Sequence, residues 1–387
     1  MVYADRTAHL KAEGAYAVLA KAQLLEAAGR EIIHLEIGQP DFDTFDNISQ
    51  AGMRAIADGK TNYTPPEGTR AFRLAIAADA SARRGVDIRA EQVVVSPGGK
   101  PNIFFPTLAL VNPGDEVIYP NPGFPTYEAM IEVAGGIPVP VPLVEENDFS
   151  FDLDALDRCM NKKTKMIIIN SPSNPTGGII PESDLEQIAE AARKYDAWVL
   201  SDEIYSRIVY DGLGDAPSIY ALSDMAERTI IMDGFSKTYA MTGWRLGYGI
   251  MPEELAQRMG LLMTHAVGST AEFTQYAGLE ALTGDQGQVD AVVAEYEKRR
   301  NAIVDGLNSL PGISCQKPQG AFYVFPNVSG LGKSSDEVAN WILEDAGVAL
   351  LSGTSFGKMG EGYLRLSYAN SIENIELAIG KMAEILG

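Results

Sequence analysis

The residue with the most reactive potential in this chain is Lys237, which follows Ser236 just after the apolar run TIIMD (Thr229–Asp233). A lysine held in a partly desolvated, positively charged setting loses its proton more readily and becomes an amine nucleophile toward an aldehyde. TGWRLGY (Thr242–Tyr248) follows, with glycines and aromatics that let backbone approach closely. SPGGK (Ser96–Lys100) sets Gly98 and Gly99 at the start of the helical run IFFPTLAL. Exposed N–H groups and the helix dipole favour an anion there, although the segment is neither a Walker loop nor a GxGxxG dinucleotide loop. NSPSNPTGG (Asn170–Gly178) closes the run MIIIN, and SDEIY (Ser201–Tyr205) closes WVL, leaving Asp202 where a carboxylate can be buried at a strand end. Arg365 lies mid-strand in YLRLSY (Tyr363–Tyr368). An arginine between apolar residues requires an anionic partner, either a structural carboxylate or one belonging to a ligand.

Each of these features has a plainer reading when taken alone: a solvated lysine, a tight turn, a proline-rich turn, a helix-capping aspartate or a structural ion pair. Together they set a lysine, an anion-binding loop, an aspartate, an asparagine and two arginines at the strand ends of one core.

The elements that must position them alternate along the chain. Val93–Ser96, Glu116–Tyr119, Met166–Asn170, Trp198–Ser201 and Thr229–Asp233 read as strands, with apolar residues in succession. That pattern suits parallel strands covered on both faces. Leu185, Ile188, Ala189 and Ala192 recur at helical spacing between two of them. The rhythm runs from about residue 48 to about 280 and predicts a doubly wound α/β core. A long helix follows, with Val289, Val292, Val293 and Tyr296 on one face. The pattern then changes to the strand AFYVF (Ala321–Phe325), a helix opened by Ser334 and Glu337 in capping-box spacing, the strand YLRLSY and a terminal helix ending near Leu386. Residues 47–285 are therefore expected to form a large α/β domain, and residues 1–46 with 286–387 a smaller α+β domain. The sequence shows no internal repeat, low-complexity tract or long linker.

The 31 basic and 52 acidic residues give a net charge of −21, which disfavours nucleic acid and anionic membranes as partners. No segment approaches the roughly 20 apolar residues of a membrane span, and MVYADRTAHLKAEG at the N-terminus has no signal-peptide core. Cys159 and Cys315 fit two reduced thiols, and His9, His34 and His265 have no metal-ligand spacing. A soluble, cytoplasmic protein without a metal is expected.

Taken in order, the stretch from EIGQPDFDT (Glu36–Thr44) through NPTG, SDEIY and SKTYAMTGWRLGY (Ser236–Tyr248) to YLRLSYA (Tyr363–Ala369) resembles the class I aminotransferases. These are the aspartate aminotransferase-like branch of the fold-type I pyridoxal-phosphate enzymes, and the resemblance runs nearly end to end. It implies a fold-type I transferase with a mostly parallel central sheet and a smaller α+β domain. It also implies pyridoxal 5′-phosphate as cofactor, and an amino acid and a 2-oxo acid as substrates in a ping-pong reaction. Lys237 would carry the cofactor as a Schiff base and shuttle the proton. Asp202 would pair with the ring nitrogen, and Asn174 and Tyr205 with the ring oxygen. Arg245, Ser236 and the backbone at Gly98, Gly99 and Lys100 would hold the phosphate, and Phe124 would stack on the ring. Arg365 would clamp the substrate carboxylate, assisted by Gly38 and Asn174. Tyr63, in TNYTPPEG, would reach the phosphate of a neighbouring subunit, which implies a homodimer with shared active sites.

The sequence departs from the family pattern at Gly234, where many relatives have Ser or Thr, at Phe124, where Trp or Tyr is commoner, and at Pro97 in the glycine loop. No second arginine is identified for a dicarboxylate side chain, so the side-chain preference stays open. A C–S β-lyase and a cyclising enzyme share this scaffold. Aminotransferase-like transcription regulators need a basic DNA-binding segment, and none precedes Glu36.

Overall fold

The computed structural model describes residues 3–8, 10 and 14–387; His9 and part of the N-terminal stretch read above lie outside the described residues. Eight strands form the central sheet, in the spatial order 93–96, 247–250, 229–234, 198–202, 164–170, 116–121, 137–144 and 150–151. The five strands from 229–234 to 137–144 are parallel to one another. The strand Gly247–Ile250 runs antiparallel between Val93–Ser96 and Thr229–Gly234.

The unbroken apolar runs have a direct cause. Val93 and Val95 pack in one cluster with Phe72, Ile76 and Tyr248, whereas Val94 between them packs with Ile103, Met232 and Met259 on the other face. Met166 and Ile168 likewise share that second cluster, while Ile167 and Ile169 join Leu185, Ile188 and Ala189. A sheet covered on both sides leaves no position for a polar alternation.

All five expected strands are present. Four of them are longer than the sequence suggested: three reach on to Asn121, Asp202 and Gly234, and the fourth begins at Thr164. Three others carried no readable signal. Ile137–Val144 (IPVPVPLV) is interrupted by prolines, Ser150–Phe151 is only two residues long, and Gly247–Ile250 (GYGI) alternates glycine with apolar residues.

In the last third, the Ser334–Glu337 capping box opens the helix Ser335–Trp341. The two expected strands are shorter than read, Tyr323–Val324 and Leu364–Ser367, and they pair antiparallel in a three-stranded sheet with Leu351–Ser352. The strand Ile33–His34 pairs in parallel with Val348–Ala349. Leu35 shares a core with Val348, Leu366 and Tyr296 of the long helix Gly287–Asn308. Among the described residues no helix is long and apolar enough to cross a membrane, and no group of His, Cys, Asp or Glu could hold a metal ion.

Candidate active site

The site lies where the parallel strands end. Asn170 and Asp202 are register partners at the C-terminal ends of neighbouring strands, and Asp202 is also paired with Met232. Carboxyl ends of parallel strands are where α/β sheets gather ligands. Lys237 lies three residues beyond the end of the strand Thr229–Gly234.

The Lys237 side chain turns across the site, and its Nζ donates to the Gly38 carbonyl at 2.5 Å. The rings of Phe322 and Tyr205 flank it, with centroids 5.6 and 5.8 Å away. Burial, then the guanidiniums of Arg365 and Arg245, bring its pKa down to about 8, with Asp202 opposing them. At pH 7 about a tenth of this amine is therefore unprotonated and nucleophilic, far more than for a free lysine.

Asp202 is 3% exposed. Its Oδ2 accepts the Tyr127 hydroxyl at 2.6 Å and its Oδ1 accepts the Ile204 N–H at 3.2 Å. Burial raises its pKa to about 7 against the pull of those two hydrogen bonds. No helix follows Asp202, so it is not a helix cap. Asn170 uses its side chain three times, donating to the Asp202 carbonyl at 3.0 Å and the Pro172 carbonyl at 3.2 Å and accepting the Asn174 N–H at 2.8 Å. The Asn174 Oδ1 is buried and has no partner among the described residues, so the turn presents a polar atom toward the site.

The glycine loop is built by contact rather than by flexibility alone. Gly98 has φ +88°, and a Cβ on it would strike the Arg245 guanidinium. A Cβ on Gly247 would lie 2.6 Å from the Gly98 carbonyl carbon. Arg245 itself is left-handed, at φ 54°, and donates to the Thr242 carbonyl at 2.8 Å. Ser236 is nearly buried. Lys100 Nζ lies 5.3 Å from the Phe124 ring centroid, and that ring meets Tyr127 edge-on at 5.7 Å.

Gly234, the departure noted in the sequence, has a packing cause. A Cβ there would lie 3.0 Å from Gly247 Cα and 3.1 Å from the Leu246 carbonyl oxygen, because Gly234 and Gly247 are register partners.

Arg365 is 3% exposed, donates to the Glu36 carbonyl and lies over the rings of Tyr323 at 4.7 Å and Phe356 at 5.2 Å. The Tyr323 hydroxyl bonds that of Tyr205 at 2.7 Å, and a Cβ on Gly38 would collide with it. The structure thus brings together Gly38, Gly98, Gly99, Lys100, Phe124, Asn174, Asp202, Tyr205, Ser236, Lys237, Arg245 and Arg365. It does not bring in Tyr63 from the same chain, whose side chain is 96% exposed. Tyr127 and Tyr323 were not singled out from the sequence; Tyr323 sits in the apolar run AFYVF, and Tyr127 lies between Thr126 and Glu128.

The donor set fits pyridoxal phosphate: a nucleophilic amine, a buried carboxylate, an unpartnered asparagine oxygen, and a backbone cradle beside an arginine. Comparison with known proteins agrees. The family model for aminotransferase class I and II matches residues 30–382. The aspartate aminotransferase of Pyrococcus horikoshii is 40% identical over 94% of this chain and 93% of its own length. The aromatic-amino-acid aminotransferase 2 of Thermococcus litoralis is 39% identical over 92% of each chain. A single mutant of Thermus thermophilus aspartate aminotransferase, 35% identical, superposes with a TM-score of 0.95 over all of both chains. The chain belongs to the class I and II aminotransferases, the fold-type I enzymes that work with pyridoxal phosphate.

Proposed function

We propose that this chain transfers an amino group reversibly between an α-amino acid and a 2-oxo acid, with Lys237 both anchoring pyridoxal phosphate and carrying the proton. The observation that supports this most directly is the Lys237 amine, with a pKa near 8, beside a buried carboxylate and a buried guanidinium. When bound, the cofactor supplies an aldehyde carbon for the amine and a conjugated ring that takes up the electrons left when the substrate Cα–H bond breaks.

In this reading Asp202 would pair with the ring nitrogen, and a cation there would draw its carboxyl back toward the ionised form. Tyr205 and Asn174 would hold the ring oxygen, and Phe124 would lie against the ring. The backbone at Gly98, Gly99 and Lys100 takes the phosphate with Ser236 and Arg245. Arg365 grips the substrate carboxylate as a bidentate pair, supported by Gly38 and Asn174, and this orients the Cα–H bond toward Lys237. With the cofactor bound, the Lys237 amine would be the group that takes up and gives back the substrate Cα proton within one site.

Tyr63 reaches the phosphate of a second copy, so the working unit is a homodimer with shared sites; its near-complete exposure in the single chain supports this. Residues 47–285 act as the cofactor-binding domain, and residues 1–46 with 286–387 as the smaller one, supported by the pairing of Ile33 with Val348. The net charge of −21 and the free thiols Cys159 and Cys315 support a cytoplasmic enzyme without nucleic-acid or membrane partners.

The test is stoichiometric. Enzyme is mixed with single amino donors and no acceptor, beginning with the aspartate and aromatic classes for which its relatives are named. Transamination gives one oxo acid per site and a shift of the absorbance from the visible to the near-ultraviolet. Continuous release of pyruvate and ammonia from a β-substituted amino acid, with the visible band kept, would establish a β-lyase instead.

A further inference from the structure

Behind the site lies a charged cluster that no step above uses. The helix Arg70–Arg84 ends in two arginines, and both enter the protein rather than solvent. Arg84 Nη2 donates to Glu203 Oε2 at 2.6 Å and Nε to the same oxygen at 3.2 Å, with the two side chains 4% and 3% exposed. The same Nη2 lies 3.7 Å from Asp233 Oδ2. Arg83 Nη1 is 3.6 Å from Asp233 and 3.6 Å from Asp79, while its Nε meets Asp215 at 2.5 Å.

The carboxylates are fixed as closely as the arginines. Glu203 Oε1 accepts the hydroxyls of Ser201 at 3.0 Å and Ser218 at 2.5 Å. Asp233 accepts the Tyr248 hydroxyl at 3.0 Å and the Gly234 N–H at 2.7 Å.

The position of these groups in the chain matters most. Glu203 directly follows Asp202, and Asp233 precedes Lys237 by four residues. The Glu203 N–H donates to the Met232 carbonyl at 2.8 Å, tying the two strand ends together. Buried ion pairs add little net stability over well-packed apolar residues, so stability alone does not account for this arrangement.

We propose that Arg84, through its buried pair with Glu203 and its approach to Asp233, is a positioning residue for the site: it neutralises the carboxylates behind the strand ends and so sets the electrostatic potential at Asp202 and Lys237. In support, burial is the main cause that raises Asp202, its bonds to Tyr127 and Ile204 oppose the rise, and Asp233 and Glu203 add to it. The inference rests on the reading of Lys237 as the cofactor anchor.

The test uses the purified holoenzyme and three variants: Arg84→Gln, Glu203→Gln and the double variant. The readouts are the pH midpoint of the visible absorbance change of the lysine-bound cofactor, and Tm. The protonated form of that bond is the more positive one. Losing Arg84 leaves negative charge uncompensated and raises the midpoint; losing the Glu203 charge lowers it. Each change is expected on the order of half a pH unit, and the double variant returns toward the native value.

Fold damage alone lowers Tm without producing opposite spectral shifts. Midpoints that stay fixed, or that move in the same direction in both single variants, would overturn the proposal and leave a structural ion pair. Should Arg84→Gln fail to fold, Glu203→Gln and Asp233→Asn must both lower the midpoint for the proposal to stand. A native protein with no visible band at all would overturn the cofactor reading itself, and the inference with it.

Discussion

Tyr127 donates its hydroxyl to Asp202 Oδ2 at 2.6 Å, and both groups are buried. The bond lowers the Asp202 pKa while burial raises it to about 7. In Tyr127→Phe that oxygen loses its donor, and the carboxyl moves further toward the protonated form. A hydrogen bond to a charged group contributes about 1.5–3 kcal/mol, so kcat should fall roughly tenfold or more while the fold stays intact. Steady-state kinetics and cofactor titration measure it, and an unchanged kcat would show that Tyr127 only packs. Asp202→Ala should still bind cofactor and lose most of the rate.

The same carboxyl makes a pH prediction for the cofactor-free protein. Its pKa is raised in the folded state, from 3.8 to about 7, so between those values the folded state binds more protons than the unfolded one. Stability from this group is present at low pH and is lost as pH rises through about 7. Thermal melts of the apoprotein across that window should show a steeper decline in Tm with pH for the native chain than for Asp202→Asn. Parallel curves would contradict it.

Lys237 is depressed to about 8 by burial, then by Arg365 and Arg245. The rate at which apoprotein takes up pyridoxal phosphate should rise with pH to a midpoint near 8. In Arg365→Gln one positive neighbour is gone, the midpoint should move upward, and KM for the amino acid should rise at least tenfold through loss of a bidentate pair. Stopped-flow absorbance checks the first effect and steady-state kinetics the second.

Gly234 faces Gly247 across paired strands, with a Cβ placed 3.0 Å from Gly247 Cα. Restoring the serine common among relatives should therefore cost stability, about 1–3 kcal/mol by overpacking, read as a lower urea midpoint. A stabilised Gly234→Ser protein would mean that the two strands can part without cost.

Tyr63 is the site residue expected from a second copy. Lys237→Ala protein mixed with impaired Tyr63→Ala protein should regain activity, because one site of each hybrid dimer combines an intact Lys237 and Arg245 with an intact Tyr63 from the other copy. A monomer by sedimentation at working concentration would end that reading.

Much of this was legible in the sequence because the chemistry sits next to unbroken apolar strands. Lys237, Asp202 and Asn174 follow TIIMD, WVL and MIIIN closely, so finding the strands found the site. Arg365 stood out as a charge between apolar neighbours. Tyr127 and Tyr323 gave no signal, since a tyrosine's hydroxyl partner is set by the fold: Tyr323 reads as core in AFYVF, and the partner of Tyr127, Asp202, lies 75 residues away. The strand Gly247–Ile250 was hidden by its glycines, whose value lies in close contacts of Gly247 with Gly98 and of Gly249 with Asn102, both far away in sequence. Arg83 and Arg84 end a helix, where basic residues ordinarily face solvent and favour the dipole; inside the protein they meet Asp215 and Glu203, carboxylates more than a hundred residues away.

The central claim is that Lys237 carries the cofactor. Borohydride reduction of the yellow holoenzyme, followed by peptide mapping, tests it most directly. One labelled peptide per chain is expected, modified at Lys237. Label on another lysine, such as Lys100, would contradict it.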